Sequence, residues 1–144
     1  MLSRKILVLI MLWIPILALA GEEKKGVIYK PASPTSAASG QEMFRSYCAS
    51  CHGVDAKGSG PAASALKVAP TDLTQLAKKS GGKFPTDRVR TAIEGDANYP
   101  GHGSKDMPVW GTIFLSMRGS GDPKAVVVQR VSNLTNYVES LQAK

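Results

Sequence analysis

The chain has 144 residues, 18 basic against 11 acidic side chains, a formal charge of +7, two cysteines, two histidines and an aromatic share of only 6%. That length allows one ordinary domain, two cysteines are too few for a disulfide-stapled scaffold, and the basic residues lack the aromatic interleaving expected of a nucleic-acid surface. The lysines read mostly as solvated surface, with a balance compatible with an acidic docking partner.

Arg4 and Lys5 precede an apolar run from Ile6 to Leu19, and Ala18-Leu19-Ala20 meets the small-x-small rule. Residues 1–20 therefore read as a secretory signal cleaved before Gly21. A membrane-anchored form is the alternative, but the run is about 14 residues long, where a bilayer span needs roughly 20, and Pro15 interrupts it. Residues 21–39 hold charge and then a Pro/Ser/Ala stretch without apolar period, a flexible lead-in that keeps the domain soluble or tethers it near a membrane or partner.

The domain proper is expected over 40–144. Met43, Phe44 and Tyr47 share a helical face and lead into Cys48-Ala49-Ser50-Cys51-His52, with Gly53 as the stop. Cys-x-x-Cys-His is the attachment sequence of a c-type haem. On a helix, positions three and four apart share a face, so both sulfurs and the imidazole point the same way. Cys48 and Cys51 can then hold one porphyrin edge by thioethers while His52 reaches the iron as its proximal ligand. Three other readings fit less well. A thioredoxin-like dithiol wants a βαβ setting, a zinc site would need all of Cys48, Cys51, His52 and His102 or extra carboxylates, and a structural disulfide leaves His52 without a purpose.

Val54 to Ala65, with Gly58, Gly60 and Pro61, reads as a wrapping loop. Thr71 or Asp72 is a candidate N-cap for a short helix through Leu76 and Ala77, and Pro85-Thr86-Asp87 opens a second one carrying Val89 and Ile93 and ended by Gly95. Residues 96–106 are loop, Val109 to Met117 is a buried helix, and Pro123 to Gln142 is a long amphipathic helix in which Val127, Val131, Leu134, Tyr137, Val138 and Leu141 form the apolar stripe, with Arg130 toward solvent. No strand alternation and no internal repeat compete with an all-α reading. Asn133-Leu134-Thr135 matches a glycosylation acceptor but lies inside that stripe and is read as chance.

An iron that transfers electrons needs a second axial ligand. Met107 is the choice, at a loop-to-helix junction with Pro108 fixing the backbone beyond it. His102 in the preceding loop is the rival, while Met43 and Met117 read as core fillers.

Gly40, Phe44, Cys48-x-x-Cys51-His52-Gly53, Pro70 with Leu73, Met107-Pro108-x-Trp110-Gly111 and Leu134-x-x-Tyr137 together resemble a small bacterial class I cytochrome c, over residues 40–144. The resemblance implies four to five helices wrapped round one covalently bound haem c with His and Met on the iron. It implies a crossing of the first and last helices at Gly40, Phe44, Leu134 and Tyr137. It also implies a haem pocket that includes Pro70, Leu73 and Trp110. Pro70 would offer its carbonyl to Nδ1 of His52, and Trp110 would lie near the propionates or serve as an ordinary core aromatic. Leu73 falls three residues past Pro70, where many members have the leucine two past it.

The function so implied is a periplasmic electron carrier, not an enzyme, with redox proteins as partners, no small-molecule substrate and no nucleic acid. A relay subunit of a larger membrane respiratory or dehydrogenase complex is the alternative, and an open-site haem protein that binds ligands is a third reading. Lys57, Lys67, Lys78, Lys79 and Lys105 are a candidate docking rim.

Overall fold

The computed structural model describes residues 32–95, 108–117 and 121–143. Every regular element among them is helical. Ser39 caps the first run, its side chain accepting from the Glu42 N–H at 3.1 Å. The run continues without a break as α1 (Gly40–Met43), a π-helical turn (Phe44–Cys48) and α2 (Ala49–His52), and ends at Gly53. The apolar spacing gives no hint of the wider turn, a form that is rare and frequently sits at functional sites. It buries Phe44 and Tyr47 and ends on the first cysteine.

Asp72, the second of the two expected caps, opens a 3₁₀ turn (Leu73–Gln75) by accepting from the Thr74 N–H at 2.9 Å, and α3 (Leu76–Lys79) follows. Next come α4 (Thr86–Glu94), closed by Gly95 in the left-handed region, and α5 (Trp110–Ser116). The last helix, α6 (Pro123–Ser140), starts with Asp122 as cap and proline in its first turn.

α6 packs against α1, α4 and α5. Its crossing with α1 is closest at Gly40, where a Cβ would run into the backbone of Asn133 and come within 2.8 Å of Tyr137 Cβ. One turn on, the Phe44 and Tyr137 rings meet at 5.4 Å in a tilted pair. Met43, Phe44, Phe114, Val131 and Leu134 are fully buried around this crossing, each large apolar side chain contributing about 1.5–3 kcal/mol.

Arg130 corrects the sequence reading: it is 5% exposed, not turned to solvent. Its guanidinium lies over the Phe114 ring at 5.6 Å and donates to the hydroxyl of Thr35 at 3.1 Å and to its carbonyl at 2.7 Å. Position 130 sits one turn before Leu134 on the apolar stripe, so the stem follows the core while the charged head finds backbone to bond. Asn133 donates to the Ala37 carbonyl at 2.8 Å and the Tyr47 hydroxyl to the Ser33 carbonyl at 2.7 Å. Residues 33–37 are thereby laid over α6 and the π turn. Among the described residues no helix is long and apolar enough to cross a membrane.

Candidate functional site

α2 carries Cys51 and His52, with Cys48 immediately before it, so the whole Cys-x-x-Cys-His motif occupies the last turns of the first helical run. No disulfide joins the two cysteines; both thiols are free. Burial, with Cys51 beside it, pushes the Cys48 thiol up to about 12, so it stands neutral against the core. A thioether there would have no charge to bury.

His52 is half-buried, and its Nδ1 lies 3.1 Å from the carbonyl of Thr71. A carbonyl only accepts, so Nδ1 carries the proton and the lone pair is left on Nε2. Burial holds this imidazole below its ordinary pKa of 6.5, and the Thr71 bond opposes that in part. The ring is therefore oriented, neutral and ready to ligate through one defined atom. The accepting carbonyl is that of Thr71, which corrects the role the family resemblance implied for Pro70. Pro70 instead turns its carbonyl against Gly58, which has φ of 88° and no room for a side chain.

The loop that follows the motif fixes this arrangement. Gly58 N–H donates to the His52 carbonyl at 2.7 Å, Gly60 N–H to that of Cys51 at 3.0 Å, and Leu73 N–H to that of Ala56 at 2.8 Å. Ala56 is fully buried with φ of 60°, an uncommon conformation for a residue other than glycine. Nothing in the sequence marks Ala56, and it marks Thr71 only as a candidate cap. Their roles come from main-chain atoms, which every residue type supplies.

Leu73 and Leu76 are half-buried against the core. Trp110 is buried, stacked on Tyr47 at 4.9 Å and tilted against Phe114 at 5.6 Å, the contacts of a core aromatic. Met107, His102 and Lys105 lie outside the described residues. Among the described residues no three His, Cys, Asp or Glu side chains gather as a metal cage requires. Two free thiols and an imidazole with a single open nitrogen, on one stretch of helix, fit covalent attachment of a porphyrin with an iron at its centre.

Asp72, next to Thr71, is held below the ordinary carboxylate range first by the Thr74 hydroxyl, with Lys79 and Lys57 among the smaller contributors. Two of the exposed lysines thus exert their field close to the His52 site.

The model of the family described as cytochrome c oxidase, cbb3-type, subunit III matches residues 35–118. No curated protein and no solved structure matches the chain.

Proposed function

The chain belongs to the family described as cytochrome c oxidase, cbb3-type, subunit III, class I c-type cytochromes that carry covalent haem c and serve electron transport, and on that premise we propose an exported single-electron carrier. Cys48 and Cys51 would form the two thioethers, His52 would ligate iron through Nε2, and Met107 would close the other side. Bound there, the haem supplies a one-electron Fe(II)/Fe(III) couple, and Met/His ligation raises its potential. The Thr71 carbonyl keeps His52 in one tautomer and one orientation, which limits rearrangement when the oxidation state changes. Leu73 and Pro70 would line the pocket, and Trp110 would back it from the core. The observation that carries this reading is the Nδ1 bond of His52, which leaves Nε2 free beside two unpaired thiols.

Lys57, Lys67, Lys78 and Lys79 are exposed, a distribution that would steer an acidic redox partner toward this face. A second reading, a relay subunit of a membrane oxidase complex, is favoured by the description of the matched family. Purification of the native protein from membranes together with oxidase subunits would select it, and recovery as a free soluble protein would select the carrier.

The absorption spectrum of the purified protein tests the ligand set. A two-thioether pyridine haemochrome and a weak near-infrared Met-to-iron band are expected. Met107→Ala abolishes that band and lowers the potential, while His102→Ala leaves both in place. The opposite pair of results would move the axial role to His102.

A further inference from the structure

Gln142 and Ala143, after α6, reach the segment that aims His52. Gln142 lies just beyond α6, and its side-chain amide is fully engaged: Nε2 donates to the Leu73 carbonyl at 2.8 Å and to the Val138 carbonyl at 2.9 Å, while Oε1 accepts from the Ala77 N–H at 2.9 Å. Its neighbour Ala143 donates its N–H to the Thr74 carbonyl at 2.9 Å. Two residues before Leu73 stands Thr71, whose carbonyl accepts from His52 Nδ1. Leu73 is thus held from both sides, its N–H by Ala56 in the loop after the motif and its carbonyl by Gln142.

We propose that Gln142 is a positioning residue for the iron ligand. It anchors the Leu73–Ala77 turn to the end of α6 and so sets how closely the Thr71 carbonyl approaches the His52 ring. The physical chain is short. A half-buried amide makes three hydrogen bonds across the 73–77 turn and the end of α6, and losing them removes the ties of the Leu73 carbonyl and the Ala77 N–H to the end of α6. The turn then loosens at the carbonyl that fixes the ligand, and such outer partners tune ligand strength. This inference rests on His52 being the proximal ligand.

The test uses the haem-loaded protein with Gln142→Met, similar in shape but without donors or acceptor, Gln142→Glu, which loses both Nε2 donors, and Ser140→Ala as control. Ser140 donates only to the Tyr137 carbonyl. Two readouts are taken: the potential, and hydrogen exchange of the His52 Nδ1–H by NMR of the reduced form. Both Gln142 variants are expected to exchange that proton roughly fivefold faster, as the loss of about one net hydrogen bond implies. Gln142→Met, which adds no charge, should also have a raised potential, because a less polarised imidazole stabilises Fe(III) less. Ser140→Ala leaves both readouts at the unaltered values.

Folded Gln142 variants with unaltered exchange and potential would overturn the proposal. The unaltered protein offers a check that needs no variant. There, the His52 Nδ1–H and the Ala77 amide should exchange through one opening event with the same denaturant dependence, and two independent openings would overturn the proposal equally. Absence of ring-current-shifted His52 signals in the reduced, unaltered protein is a distinct outcome, which overturns the ligand assignment and this inference with it.

Discussion

His52 shows how one residue's chemistry is decided by an atom that is not its own. The Thr71 carbonyl places the proton on Nδ1, and burial keeps the ring neutral below its usual 6.5. The pH dependence follows with a definite sign. The folded state resists protonating His52, while the unfolded chain protonates it near the ordinary value, so the unfolded state gains protons first as the solution is acidified. Stability is therefore fully present above that value and is lost as the pH falls from it toward the lower folded value.

The first and last helices meet at the residues expected of them. Gly40 and Phe44 on one helix and Leu134 and Tyr137 on the other were expected at a crossing only through the resemblance to cytochrome c, which those residues help to carry. The structure gives the reason for the glycine: a methyl at Gly40 would meet the Asn133 backbone, which has no rotamer to yield. Gly40→Ala is expected to destabilise the haem-loaded protein by about 1–3 kcal/mol, the usual range for overpacking, measured by guanidinium unfolding. An unchanged midpoint would mean that the helices separate freely at this point. The π turn and the burial of Arg130 were not legible. The first depends on which carbonyl each N–H chooses, the second on Thr35 arriving from 95 positions away in the chain.

At the scale of the molecule, the described core is small for the length of chain it organises. Met43, Phe44, Phe114, Val131 and Leu134 are the large apolar side chains fully buried at its centre, while Val54 and Val68, in the loops after the attachment motif, stay 79% and 52% exposed. A covalently held porphyrin would add apolar area at roughly 25 cal/mol per Å² to this core. The chain expressed without haem should therefore be poorly folded. A cooperative thermal transition with native-like helical circular dichroism in the haem-free protein would contradict this.

By itself, the sequence determined the all-α class, the attachment motif and a cap at Thr71 or Asp72, and through its resemblance to cytochrome c the residues that pack where the first and last helices cross. All of these reside in side-chain type and spacing, and so survive in a linear string. Only the tertiary structure decided that Thr71, and not Pro70, faces His52, that Ala56 adopts a left-handed conformation to receive Leu73, and that Arg130 and Gln142 turn inward to bind distant backbone. These are matters of which main-chain groups come together, and main-chain groups are the same at every position until the fold makes them different.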